Sequence, residues 1–220
     1  MEQALLATRK KRIAKLHTLL KKLFPTVAIA LHYTQPHELL FAVILSAQCT
    51  DERVNMVTKT LFTKYKTLND FAEAPLVELE KDIFQTGFYK NKAKSIHEAA
   101  KRLRDVYGGV MPRTMEEMLT LRGVARKTAN VVLAELYGVV EGIVVDTHVR
   151  RFVVRYDLSD STNPERIEQD LMDLLPKKEW RDFSHRVIYY GRHIAPARKY
   201  DVSLDPLVKI YPPAAERFRV

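Results

Sequence analysis

Two short stretches carry side chains that could do chemistry together. They are Leu121-Arg122-Gly123-Val124-Ala125-Arg126-Lys127-Thr128-Ala129-Asn130 and Val145-Asp146-Thr147-His148. Gly123 has the backbone freedom for a tight turn between two helical patterns. The amides of Gly123, Val124 and Ala125 are then expected at the N-terminus of the second helix, where unpaired N–H groups and the positive helix end suit a phosphate. Lys127 falls in the first turn of that helix, where the same field disfavours a cation and favours the neutral amine. An ordinary lysine, with a pKa of ~10.4, is neutral only about once in a few thousand molecules at neutral pH. Attack by Lys127 therefore also needs burial and the push of neighbouring Arg126. The chemistry in view is an amine attacking a sugar carbon beside a bound phosphate, with Asp146 handling charge or protons. Each residue also has a plainer reading. Lys127 reads as a solvated surface lysine, and His148 as a hydrogen-bonded structural histidine. Asp146 reads as the N-cap of the helix starting at Thr147, a role worth about 1 kcal/mol.

The elements that must position these groups are helices. Thr114 with Glu117 is a capping-box pattern, which predicts a short helix with Met115, Met118 and Leu119 facing inward. That helix ends at Leu121-Arg122-Gly123, and the next runs from about Arg126 to Tyr137 before Gly138. Ile96, Ala99, Ala100, Leu103, Val106 and Tyr107 share helical spacing, closed by Gly108-Gly109. Pro36, Pro75 and Pro164 sit at first-turn positions, the last behind the cap residue Asn163. Val149, Phe152, Val153 and Tyr156 form one apolar stripe, and Trp180, Phe183, Val187 and Ile188 another. The run Leu39–Leu45 is apolar all round and reads as a helix buried on every side. Ile143-Val144-Val145 is too short to build a sheet. The expectation is an all-α protein of two helical lobes with a groove between them. Residues 29–140 form a helical-barrel lobe carrying a helix–hairpin–helix at about 114–137. Residues 1–28 with 141–220 form the second lobe.

A net charge of +9 favours a polyanionic partner, and part of it is local. Residues 1–24 carry Arg9, Lys10, Lys11, Arg12, Lys15, Lys21 and Lys22 against Glu2 alone. A solvated basic helix face explains that run equally well. No apolar run approaches the ~20 residues of a membrane span, and no secretory signal is evident, so a cytoplasmic protein is expected. Cys49 is the only cysteine, which excludes an intrachain disulfide and any four-cysteine site. It reads as a buried structural thiol in preference to a nucleophile.

In combination these stretches are far more specific. Ser46-Ala47-Gln48-Cys49-Thr50-Asp51, Gly87-Phe88-Tyr89-Lys90-Asn91-Lys92-Ala93, the hairpin with Lys127, and Val145-Asp146-Thr147-His148 occur in this order. From roughly residue 10 to residue 212 the chain resembles the endonuclease III family of helix–hairpin–helix DNA glycosylases. The resemblance implies a bifunctional glycosylase and abasic-site lyase of base excision repair, a monomer acting on double-stranded DNA near the nucleoid, with the groove between the two lobes as DNA-binding and active-site groove. It implies that Lys127 forms a Schiff base and that Asp146 stabilises charge on the sugar or helps deprotonate the lysine. It also implies that Gln48 fills the gap left by the flipped base, and that Phe88 stands where the family has an apolar wedge. Arg122, Gly123, Val124, Ala125, Arg126 and His148 would then meet the DNA, with a monovalent cation on the hairpin carbonyls. The other reading of Phe88 is a core aromatic beside a glycine cap. Two other functions share these residues: a mismatch uracil or thymine glycosylase, and a non-catalytic helix–hairpin–helix DNA-binding protein.

The chain departs from the family in two places. Where the hairpin usually reads Leu-Pro-Gly-Val-Gly, Arg122 and Ala125 stand here, so a strained alanine and a compensating Arg122–phosphate contact are expected. The family's iron–sulfur loop follows C-x6-C-x2-C-x5-C, and Pro196, Ser203, Pro206 and Pro212 occupy those positions. No [4Fe–4S] cluster is expected. Proline stiffness and packing by Leu204, Leu207, Ile210 and Tyr211 should order the loop instead. Arg192, Arg198 and Lys199 remain candidates to meet the DNA backbone.

Overall fold

A computed structural model describes residues 2–198 and 200–217, and among them it contains eleven α-helices and no strand. In chain order α1 (Glu2–Leu23), α2 (Pro36–Leu45), α3 (Asp51–Lys64), α4 (Leu68–Glu73), α5 (Leu76–Asp82) and α6 (Tyr89–Tyr107) come first. They are followed by α7 (Met115–Leu119), α8 (Arg126–Tyr137), α9 (Thr147–Arg155), α10 (Pro164–Leu174) and α11 (Trp180–His193). The all-α expectation holds. The chain divides into two compact units, Ala30–Val139, and Met1–Ile29 with Val140–Val220.

The unit spanning Ala30–Val139 is built around α2. Residues 38–45 are all buried, and the helix packs against α3, α6 and α8, which is what an apolar run without a polar face requires. Phe41 and Tyr65 close on Phe71 at ring-centroid distances of 4.7 and 5.1 Å. Thr67 and Asp70 cap α4 reciprocally, and α4 lies along α6. Pro75 proves to be the residue before α5, not its first turn. Helix α6 stops at Gly108, whose φ of 59° is the left-handed closure glycine allows. Val106, placed on the apolar stripe by spacing, is exposed instead. Thr114 caps α7 by accepting from the Glu117 amide, and its hydroxyl donates to the Glu117 carboxylate. Met118 is buried, but Leu119 is 46% exposed, because a helix of five residues turns only one narrow face inward.

The other unit is held by α1, α9, α10 and α11. Ile13, Leu16 and Leu20 of α1 join Val149, Phe152, Val153, Tyr156, Phe183 and Val187 in one core. The basic run of α1 is not simply a solvated face. Arg9 forks onto the Asp160 carboxylate at 2.6 and 3.0 Å, and Arg12 donates to the Tyr156 and Asp157 carbonyls and to the Asp157 carboxylate. Asp157 has φ 50°, so these guanidinium bonds hold a turn that few side chains adopt. Lys10, Lys11, Lys15, Lys21 and Lys22 remain exposed.

The segment after α11 contradicts part of the expectation for it. Leu204 is 74% exposed and orders nothing, whereas Leu207 and Ala214 are fully buried and Ile210 and Tyr211 pack beside them. The missing contributor is Asp205, which is buried. Its Oδ2 accepts from the hydroxyls of Tyr190, Tyr200 and Tyr156 at 2.5, 2.6 and 3.2 Å, and its Oδ1 accepts from the Leu207 amide. Burial first, and then the Asp205 charge, hold the Tyr190 phenol far above its usual range. Arg155 donates to the Tyr190 hydroxyl and lies over the Tyr200 ring. Polar pairing on Asp205 thus joins the packing of Leu207, Ile210 and Tyr211, and Leu204 alone falls outside it.

Candidate functional site

The hairpin between α7 and α8 is a type II turn over Leu121–Val124. The Val124 amide donates to the Leu121 carbonyl at 3.2 Å, and Gly123 at the third position has φ 78°. A Cβ at Gly123 would also lie 2.6 Å from the Ser95 Cβ of α6, so glycine is required on two grounds. This geometry corrects two expectations. The Val124 amide already has an acceptor within the turn, and the Val124 side chain is buried as its anchor. Ala125 has φ −92° and ψ 170°, extended backbone that alanine adopts without strain, so its Cβ imposes no altered geometry. Ala125 caps α8 without a side-chain acceptor. Arg122, Gly123, Ala125 and Arg126 are the exposed residues of this mouth.

Lys127 is the second residue of α8 and is exposed, so the protein's own packing does not supply the burial expected for it. Arg122 is also exposed and forms a 3.3 Å ion pair with Glu98 of α6. In the other unit, Asp146 caps α9 by accepting from the Val149 amide at 2.8 Å. The cap fixes the carboxylate's direction, so the plainer reading of Asp146 is compatible with the chemical one. His148 is half-buried, and its Nδ1 lies 3.2 Å from an Arg151 guanidinium nitrogen. The ring sits over Gly191 of α11, where a Cβ would fall 2.2 Å from Nδ1.

Gln48 and Phe88 share an unusual backbone. Both have left-handed φ, 54° and 49°, and both are exposed, Phe88 to 65%. Phe88 is therefore not a core aromatic. Non-glycine residues held in this region cost on the order of 1 kcal/mol or more, and such strain clusters where side chains are aimed at a ligand. Cys49, in the same turn as Gln48, is half-buried, less than the buried thiol expected.

Two residues of consequence escaped the sequence reading. Lys92 is buried, and its Nζ donates to the carbonyls of Leu45 and Thr86, both at 2.8 Å. Its signal was present: Lys92 falls on the same helical face as Ile96, Ala99 and Leu103, a position where a lysine must find buried partners. Asp205 carried no comparable signal, because two of its three hydroxyl partners, Tyr156 at the C-cap of α9 and Tyr190 in α11, lie outside its own loop.

The residues after α11 do not fit an iron–sulfur cluster. Pro196, Ser203, Pro206 and Pro212 offer no thiolate, and the Ser203 hydroxyl is engaged with Asp201. Arg192 and Arg198 are exposed, and Lys199 lies outside the described residues.

Residues 41–177 match the model of the HhH-GPD superfamily of base excision DNA repair proteins. An endonuclease III from Synechocystis sp. is 49% identical over 194 residues, covering 88% of this chain and 89% of that one. A non-covalent endonuclease III–DNA complex aligns at TM-score 0.88 and 41% identity, over 96% of this chain and 99% of the other. A trapped covalent endonuclease III–DNA intermediate aligns at TM-score 0.88 and 42% identity over the same shares. The chain belongs to the HhH-GPD superfamily of base excision DNA repair proteins, in its endonuclease III family.

Proposed function

We propose that this chain removes damaged, oxidised pyrimidines from duplex DNA and then cleaves the strand at the abasic site. The observation that carries the reading is Lys127 in the first turn of α8, directly behind the hairpin, in a chain so similar to one trapped covalently on DNA. The Lys127 amine attacks C1′, the glycosidic bond breaks, and the base leaves with the bonding pair and gains a proton. The C1′–O4′ bond of the resulting glycosylamine then opens, O4′ taking a proton, and the iminium so formed joins Lys127 to the sugar and acidifies the C2′ hydrogen. Removal of that hydrogen expels the 3′ phosphate, and water then frees the lysine. Asp146 acts as the carboxylate that offsets positive charge on the sugar and relieves Lys127 of its proton. Because Lys127 is exposed, exclusion of water from its amine falls to the bound DNA.

Gln48 fills the space of the extruded nucleotide, and Phe88 stacks on the neighbour left behind. Extrusion costs a few kcal/mol, least at damaged or mispaired bases, and these side chains offset part of it. Arg122, Gly123, Ala125 and Arg126 receive a backbone phosphate at the α8 N-terminus, and Val124 supports the turn from beneath. His148 and Arg151 present a second polar contact. The chain acts near the nucleoid, and it does so without an iron–sulfur cluster; iron analysis of the purified protein tests this, and stoichiometric iron would refute it.

Borohydride trapping on DNA with a single abasic site is the decisive experiment. A covalent adduct is expected, and Lys127→Ala should abolish it while DNA binding persists. DNA binding with no adduct from the wild type would make this a non-catalytic helix–hairpin–helix protein. A panel of duplexes, each with one altered base, separates oxidised pyrimidines from mismatched uracil or thymine.

A further inference from the structure

Lys92 lies between the two turns that carry Gln48 and Phe88. Leu45, whose carbonyl it binds, is the last residue of α2 and stands three residues before Gln48. Thr86, whose carbonyl it also binds, stands two residues before Phe88. The Lys92 amide in turn donates to the Phe88 carbonyl at 3.1 Å. That last bond is the opening backbone bond of α6; the side chain itself ties the flank of the first strained turn to the flank of the second. Arg53 adds a tie in the same place: its guanidinium donates to Gln85 while its amide donates to Thr50. A buried ammonium with two carbonyl partners is directional, so the spacing of the two turns is fixed before any ligand arrives.

We propose that Lys92 is a positioning residue for opening duplex DNA, holding the Gln48 and Phe88 turns at the separation at which plug and wedge enter one gap together. This rests on the roles given to Gln48 and Phe88 above. Burial keeps the Lys92 ammonium below its usual range, an energetic cost that a surface helix would avoid by placing an aliphatic residue there. Lys92 does not touch the reacting sugar. Its effect is confined to the step in which a nucleotide leaves the stack.

The test uses one abasic oligonucleotide, single-stranded and annealed to a strand with 2-aminopurine opposite the abasic site. With Lys92→Met, trapping on the duplex should slow about 10- to 100-fold, the scale of a misplacement near 1 Å. Trapping on the single strand should slow less than about 3-fold, since nothing there has to be opened. The rise in 2-aminopurine fluorescence on binding should be lost. In a Gln48→Ala, Phe88→Ala background, Lys92→Met should add less than about a 2-fold loss, because no side chains remain to be placed. Equal losses on both DNA forms, or a fully additive loss in that background, would overturn the proposal. Lys92→Gln, which keeps a donor, serves if the methionine variant unfolds, and unfolding of both would establish a purely structural lysine. If the wild type gives no adduct at all, the lyase reading fails while the fluorescence arm still decides the role of Lys92.

Discussion

The turns around Lys92 and the loop around Asp205 are both irregular backbone organised by one buried charge, but the two charges are solvated differently. Lys92 is met by two backbone carbonyls, Asp205 by three tyrosine hydroxyls and one amide. Carbonyls come with any sequence, so at Lys92 the ammonium is the only replaceable part. Around Asp205 nearly every partner is a side chain, so the network can be dismantled piece by piece. The first arrangement suits a site whose geometry must stay fixed. The second suits a loop whose order is assembled from side chains of several helices.

The contrast breaks if Asp205 proves dispensable. Asp205→Ala leaves the hydroxyls of Tyr156, Tyr190 and Tyr200 without their shared acceptor in a largely buried setting. Orphaned buried donors cost ~1–3 kcal/mol each, and relaxation of the partly buried Tyr200 recovers some of this, so a loss of about 3 kcal/mol is expected. Urea unfolding measures it, and a change below about 1 kcal/mol would mean that Leu207 and Ala214 order the loop alone.

Lys92→Met should destabilise less, by about 1 kcal/mol. The two carbonyls lose charge-assisted donors, but the variant no longer desolvates an ammonium, and the two effects largely cancel. A small stability change beside a large loss of duplex opening sharpens the comparison. A change as large as that for Asp205 would erase it.

Much of this was legible in the sequence, and what was not has physical causes. The α8 boundaries, the buried α2, the Gly123 turn and the Asp146 cap follow from local rules of periodicity, caps and glycine. Those rules act over three or four residues, and so they fail where contacts are distant. Leu204 looked like loop packing and Arg9 like a solvated charge, because nothing local reveals Asp205 or Asp160. Ala125 departs from expectation for a different reason. A motif written with glycine does not say whether glycine is needed for φ or merely fits, and the φ of −92° shows that it is not needed here.

Alkali should affect the two regions with opposite sign. Unfolded tyrosines ionise at ~10, whereas burial holds Tyr156, Tyr190 and Tyr200 above that value. Once the pH passes ~10 the folded state binds more protons, so their contribution falls as pH rises. Lys92 is held below its usual value of ~10.4, so just under that pH the unfolded chain binds more protons and the contribution rises. Urea midpoints from about pH 9 to 11 should therefore fall less steeply in Tyr190→Phe and more steeply in Lys92→Met. Slopes that change in the same direction would contradict the sign assigned to one of the two.

The smallest effect is expected on the surface, where Arg122 pairs with Glu98 across exposed side chains. Such pairs contribute ~0–1 kcal/mol, so Glu98→Gln should move stability by less than about 0.5 kcal/mol. Its consequence lies in binding. If Arg122 takes a phosphate, Glu98 competes for the same guanidinium, and its carboxylate also repels the approaching backbone. Glu98→Gln should then tighten DNA binding a few-fold at low salt, with the gain fading as salt screens the charge. Arg122→Ala should weaken binding and reduce the slope of log affinity against log salt by about one. In Arg122→Ala the Glu98 substitution should keep only its repulsive part and lose the rest of its effect. Full persistence of the gain there would show that Glu98 acts on the DNA alone, and that the hairpin holds phosphate through its backbone without Arg122.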